Sequence, residues 1–121
     1  MIKSGPFDIL FLNKEGVPIA YTLTSVPPDK VNGEKTIKLD YLYVKPDFRG
    51  LNLGRTMIDM VSRNATECGF DRIVGRISPD FGSSKEFLDK LYETAGFEIH
   101  GDYLRARLPL IPEERREFCF G

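Results

Sequence analysis

The sequence predicts one α/β (α+β) domain: a mixed sheet with two helices packed on it, in the order β-β-β-α-β-α-β-β. Three observations carry this. Apolar residues alternate with period two over Thr36–Val44, two later segments show helical spacing, and turn signals flanked by short apolar runs stand at both ends of the chain.

The elements follow in order. Ile9 to Leu12 is a short apolar run, Asn13-Lys14-Glu15-Gly16 is a turn signal, and Val17 to Val26 is rich in β-branched and aromatic residues, which together predict an antiparallel hairpin. Pro18 falls near the start of its strand, where a missing N–H is tolerated. Pro27-Pro28 closes that strand and Asp29 to Lys35 reads as a loop. In Thr36 to Val44, Ile37, Leu39, Tyr41 and Tyr43 form one apolar face. The other face, Lys38, Asp40, Leu42 and Val44, turns apolar only near its end, so that end is expected to be buried on both sides.

Pro46 stops the strand, and Gly54 to Cys68 reads as a helix. Its predicted stripe is Leu53, Met57, Met60, Val61 and Ala65, with Gly69 in position for a left-handed C-terminal cap. Asp71 to Ser78 is the fourth strand. Ser83 and Glu86 form a capping box for a helix through Ala95, whose stripe is Phe87, Leu88, Leu91 and Ala95, ended by Gly96. Phe97 to His100 and Tyr103 to Leu108 close the chain as a hairpin, followed by a charged tail ending in Phe118-Cys119-Phe120.

At 121 residues the chain is one ordinary domain, residues 1–121, without repeats or linkers. Seventeen basic residues nearly cancel eighteen acidic ones, giving no electrostatic reason to expect nucleic acid or an anionic membrane as a partner. No apolar run approaches the roughly 20 residues that span a bilayer. The N-terminus lacks the pattern of a signal peptide, and Cys68 and Cys119 make no disulfide framework, so the expected location is the cytoplasm. No Cys or His cluster has zinc-ligand spacing, and no metal is expected.

The sharpest feature is Phe48-Arg49-Gly50-Leu51-Asn52-Leu53-Gly54, which leads from a strand into a helix. A helix start leaves unpaired N–H groups and a partial positive charge, a seat for an anion. Gly50 and Gly54 allow close backbone approach, and Asn52 is among the few other residues that tolerate positive φ. Arg49 and Arg55 flank the turn with charge suited to phosphate oxygens. Glycine spacing alone fits a plain structural turn equally well. No Gly-Lys-Ser/Thr follows, which excludes a P-loop, and no G-x-G-x-x-G is present.

The run Leu42-Tyr43-Val44-Lys45-Pro46-Asp47-Phe48-Arg49-Gly50-Leu51-Asn52-Leu53-Gly54 resembles the acyl-CoA signature of the GNAT superfamily of N-acyltransferases. Arg49 and Gly54 fall on the ends of its Q/R-x-x-G-x-G/A core, and Asn52 replaces the middle glycine. A second block, Leu91-Tyr92-Glu93-Thr94-Ala95-Gly96-Phe97, is similar to the family's L-Y-E-x-x-G-F. The resemblance implies a mostly antiparallel sheet and an N-acetyltransferase that moves an acetyl group from acetyl-CoA to a primary amine, on a small molecule or a peptide, by direct attack. Backbone at Leu42, Tyr43 and Val44 would pair with the pantetheine arm like an added strand. The amides of Arg49, Gly50, Leu51, Asn52, Leu53 and Gly54, with Arg55, would hold the pyrophosphate.

The same resemblance implies Val44 N–H as oxyanion donor and Tyr92 as the acid that protonates the leaving thiolate. A packed core tyrosine is the other reading of Tyr92. Asp40 is the candidate base, against a solvated carboxylate, while His100 reads as a surface histidine. Lys85 stands where many family members carry an asparagine; it is either within reach of a CoA phosphate or a solvated helix residue. The fourth strand, Arg72-Ile73-Val74-Gly75-Arg76-Ile77, has no carboxylate where family members that acetylate protein N-termini have a glutamate. The family also places a strand and two helices before the hairpin, which forms one wall of the acceptor site. Their counterpart is not evident in this sequence, so an open sheet edge and a homodimer are expected. The alternative reading is a CoA-binding or oligomerising domain of the same fold with weak catalysis.

Overall fold

The computed structural model describes residues 5–27, 33–48, 52–77 and 85–111. Strands β1 (Ile9–Leu12), β2 (Pro18–Ser25) and β3 (Thr36–Val44) are followed by a 3-10 turn (Pro46–Phe48) and helix α1 (Leu53–Glu67). Then come β4 (Arg72–Arg76), α2 (Lys85–Ala95), β5 (Glu98–His100) and β6 (Tyr103–Arg107). The order is the expected one, and the six strands form a single sheet, β1-β2-β3-β4-β6-β5. Every pairing is antiparallel except β3 with β4. That parallel pair follows from the crossover, since α1 must carry the chain back to the start of the next strand.

Both helices pack on one face of the sheet. Ile37, Leu39, Ile73, Ile77 and Leu104 from the strands meet Ile58, Val61, Ala65, Tyr92 and Ala95 from the helices in one cluster. Each fully buried aliphatic side chain in it contributes about 1.5–3 kcal/mol. Most of each predicted helical stripe packs inward, with Met60 and Phe87 the exceptions. In α1 the buried residues are Met57, Ile58, Val61, Ser62 and Ala65, while Met60 is exposed. In α2 Tyr92 and Ala95 are buried, Leu88 and Leu91 pack at the margin, and Phe87 is exposed. Gly69, at φ 85°, ends α1, and Phe70 N–H closes back on the Ala65 carbonyl at 3.0 Å.

The larger departure is in β3. The β2–β3 ladder shifts register between Leu23↔Tyr41 and Thr24↔Leu39, leaving Asp40 as the extra residue of a β-bulge. The bulge reverses the strand's phase. Leu42, not Tyr41 or Tyr43, joins the core behind Ile37 and Leu39, and Tyr41 is exposed. The end of β3 is therefore not buried on both sides. Leu42, Tyr43 and Val44 are all half-buried.

On the face away from the helices lie Leu10 and Leu12 of β1, Tyr21 of β2, and Tyr41 and Tyr43 of β3, with Tyr21 against both other tyrosines at 6.3 and 5.4 Å between ring centroids. β1 forms one edge of the sheet.

Candidate functional site

The β3–β4 ladder runs from Thr36↔Arg72 to Leu39↔Gly75 and stops there, although β3 continues to Val44. Three local features separate the strands. The Asp40 bulge re-aims β3 at the point where the ladder ends. Beyond it, β3 stays with β2, with Lys45 N–H on the Ile19 carbonyl at 2.8 Å. β4 instead follows β6, with Ile77 N–H on the Asp102 carbonyl at 2.6 Å. Gly75 makes the last rung possible. A Cβ there would stand 2.9 Å from the Leu39 carbonyl oxygen and 3.2 Å from Leu104 Cδ1.

The result is a wedge between the ends of two parallel strands. Because Lys45 N–H points to β2, strand alternation turns the amides of Leu42 and Val44 toward the wedge. An extended ligand bearing amide groups finds there a strand edge to pair with.

Helix α1 begins at the mouth of the wedge. Asn52, its N-cap residue, takes the left-handed conformation at φ 58°, ψ 23°, which the sequence anticipated for this departure from glycine. Its side chain makes no capping hydrogen bond, and the first turn contains no acidic residue. The Asn52 carbonyl accepts from Thr56 N–H at 3.0 Å and Thr56 Oγ1 at 2.9 Å, which fixes the turn. Gly54 faces inward: a Cβ there would lie 3.5 Å from Leu91, 3.6 Å from Leu42 and 3.9 Å from Val44. Those are ordinary contact distances, so glycine here seats α1 close against β3 and α2 and an alanine would also fit. Leu53 is half-buried, and Arg55 lies along the helix with Nε 3.5 Å from Asp59. Arg49, Gly50 and Leu51 lie outside the described residues, as does the Ser83 cap.

Tyr92 is buried at 6% exposure, edge-on to Phe97 at 5.6 Å between centroids. It is one residue along α2 from Leu91, the side chain nearest Gly54. The phenol thus stands on the helix side of the sheet. Asp40 stands on the other side, with 33% of its side chain exposed and Oδ1 3.7 Å from Lys38 Nζ. His100 is exposed at the end of β5, 3.8 Å from Glu98. Lys85 is held by Asp89 at 2.9 Å, and that hydrogen bond, outweighing an opposing effect of desolvation, raises the lysine above its ordinary pKa of 10.5. Among the described residues no group of three or more His, Cys, Asp or Glu is placed to hold a metal ion.

What sequence reasoning missed here is the bulge and, with it, the outward placement of Arg76. In β4 Ile73 and Gly75 are buried while Arg76 is exposed, and Arg76 lies 5.5 Å over the Tyr103 ring. The alternation of Arg72, Val74 and Arg76 with Ile73, Gly75 and Ile77 carried that signal.

Comparison with curated proteins finds no match in sequence. Solved structures give many matches in fold. The NatC complex bound to Gag peptide and CoA is 14% identical at a TM-score of 0.71, over 84% of this chain and 71% of that one. Naa50 of Arabidopsis thaliana, in complex with the bisubstrate analogue CoA-Ac-MVNAL, is 15% identical at 0.61, over 75% of this chain and 66% of that one. A phosphinothricin acetyltransferase from Sinorhizobium meliloti, in complex with AcCoA, is 17% identical at 0.66, over 88% and 65%. The chain thus spans about two thirds of the length of these structures, and at such identities the likeness is one of fold. The family profile described as Acetyltransferase (GNAT) family matches residues 2–97, and with that match spanning the wedge, the α1 start and the Tyr92 block, the chain belongs to the GNAT acetyltransferase family.

Proposed function

We propose that the chain works as an acetyl-CoA-dependent N-acetyltransferase in which the wedge holds the thioester and the two faces of the sheet divide the chemistry. The observation that carries this reading is the end of the β3–β4 ladder at Leu39↔Gly75, with the left-handed Asn52 and the start of α1 at its mouth. The pantetheine arm would pair with β3 at Leu42, Tyr43 and Val44, and the pyrophosphate would sit on the amides from Arg49 to Gly54 beside Arg55. The amine attacks the thioester carbonyl: a C–N bond forms, the C–S bond breaks, and the thiolate leaves. Val44 N–H would stabilise the oxyanion. Tyr92, on the helix side with the cofactor, would return a proton to the thiolate, and Asp40, on the open side, would take the proton from the amine.

The acceptor is an amine, on a small molecule or a peptide. We also place the protein in the cytoplasm as a homodimer. An exposed, unpaired Cys68 supports the first, and the open face bearing Leu10, Leu12 and Tyr41 supports the second. A monomer at all concentrations by light scattering would remove the dimer.

Calorimetric titration with acetyl-CoA, followed by thiol release over an amine panel, tests the activity. Saturable binding and release are expected, and no binding at millimolar acetyl-CoA would overturn the cofactor site. Tyr92→Phe is expected to keep acetyl-CoA affinity and to lower kcat about 100-fold, the lower end of what a positioned acid supplies. An unchanged kcat would return Tyr92 to a packing role.

A further inference from the structure

The open face of the sheet carries a charge pattern that the transfer reaction by itself does not require. Lys38, Arg72, Arg76, Arg105 and Arg107 all stand on this face, on adjacent strands. Four of them are matched by carboxylates: Lys38 by Asp40 at 3.7 Å, Arg72 and Arg107 by Glu34 at 3.4 and 2.9 Å, and Arg105 by Glu98 at 3.2 Å. Arg76 is not. Among the described residues its one contact is with the ring of Tyr103, 5.5 Å away, and that ring is itself 61% exposed. A cation placed over the ring face is attracted to it and keeps its N–H groups available to an acceptor.

Its place is as telling as its charge. Arg76 follows Gly75, the last rung of the β3–β4 ladder, and Asp40 follows Leu39, the residue opposite. Had the strands stayed together, the two would have been neighbours on this face; instead each stands on its own lip of the wedge. No ion pair joins them. A cation and an anion therefore stand on the open face on opposite strands, one on each side of the wedge.

We infer that the acceptor is an amino acid or a similar amine bearing its own carboxylate, with Arg76 binding that carboxylate while Asp40 receives the amine. This rests on the wedge holding the thioester. The carboxylate would accept N–H donors from the guanidinium, a charge-assisted contact that positions the nitrogen for attack and takes no part in bond making. Arg76 is thus a specificity-determining residue on the substrate.

The test compares matched acceptors that differ only in the carboxylate, β-alanine with propylamine and phenylalanine with phenethylamine, by thiol release at fixed saturating acetyl-CoA. The wild-type protein should prefer the acid of each pair by about 10- to 100-fold in kcat/KM per free amine, the usual weight of one charge-assisted contact. Arg76→Gln should erase that preference mainly through acceptor KM, Arg76→Lys should restore part of it, and neither should change melting temperature or KM for acetyl-CoA. An equal preference in wild type and Arg76→Gln, or a wild-type preference for the plain amines, overturns the inference and leaves the acetyltransferase reading standing. Should no amine turn over, the CoA-loaded protein is titrated with the same amino acids and the Arg76 Nε–Hε resonance is followed by NMR. A shift on β-alanine but not on propylamine supports the site, and no shift refutes it. Failure to bind acetyl-CoA at all takes both readings down together.

Discussion

From Thr36 to Leu39, β3 is paired with β4, from Lys38 with β2 as well, and its inward residues Ile37 and Leu39 are buried at 0% and 4% exposure. From Tyr41 to Val44 it keeps its β2 partner, has left the β4 ladder, and no residue is buried. The lower half is also stitched from outside. Lys35 N–H donates to Asp71 at 2.9 Å, Asp71 and Arg72 N–H donate to the Lys35 carbonyl at 2.7 and 3.3 Å, and Glu34 joins Arg72 and Arg107. One strand thus serves two purposes. Where it is fully paired it holds the sheet together, and where it has lost β4 it turns the amides of Leu42 and Val44 toward the wedge that we propose as the cofactor site. Local stability and ligand-ready backbone exclude one another, so the bulge at Asp40 separates them along the chain.

The comparison breaks most readily by emptying the lower half. Ile37→Ala removes a fully buried side chain from the main cluster and is expected to cost about 2–5 kcal/mol, read as a lower midpoint in urea unfolding. The folded fraction should still bind acetyl-CoA with unchanged affinity. If affinity falls in step with stability, the two halves are not separable.

Gly75→Ala strikes the boundary. The new methyl meets backbone at Leu39, which has no rotamer to yield, so the last rung must open. A loss of about 1–3 kcal/mol is expected, with acetyl-CoA affinity changed as well because the wedge would start earlier. Unfolding curves and calorimetry on the same variant distinguish this from a loss of stability alone.

Element order, the limits of β3, the left-handed Asn52 and the glycine stop after α1 were legible because each depends on local chemistry: alternation, helical spacing, and side chains that tolerate positive φ. The bulge was not. Leu39-Asp40-Tyr41-Leu42-Tyr43-Val44 presents an apolar residue on either face whichever phase the strand takes, so a one-residue insertion leaves no mark in the pattern. Met60 and Phe87 went to the wrong face for a similar reason, since Ile58 and Tyr92 are apolar enough to fill the alternative stripe. The Arg49 signature block was read from the sequence, and the wedge was not, because the parallel pairing of β3 with β4 is a long-range fact.

In the upper half, Asn52 tests whether backbone shape or side chain matters. With no capping hydrogen bond from its side chain and φ at 58°, Asn52→Gly should leave stability within a few tenths of a kcal/mol and keep acetyl-CoA affinity. Asn52→Val, strained at positive φ, should cost about 1–2 kcal/mol and weaken acetyl-CoA binding. Equal behaviour of the two variants in calorimetry would detach the left-handed turn from the ligand site.

The smallest effect is expected at Lys85, and it sharpens the comparison by its direction. Its side chain is 41% exposed and paired with Asp89 one turn along α2, so solvent screens most of the attraction. Asp89 raises the lysine pKa above its ordinary value, so whatever the pair adds to stability is complete below the unfolded-state pKa and is lost only as pH rises through the higher folded-state value. Lys85→Met should therefore lower melting temperature by a small amount that stays constant across the neutral range, since both ends of that window lie in alkali. Its effect on acetyl-CoA affinity decides what the pair is for. A lysine that also reaches a CoA phosphate would lose affinity on substitution and lose the salt dependence of binding with it. A lysine committed to Asp89 would change neither, and the anion site would then consist of the α1 start and its arginines.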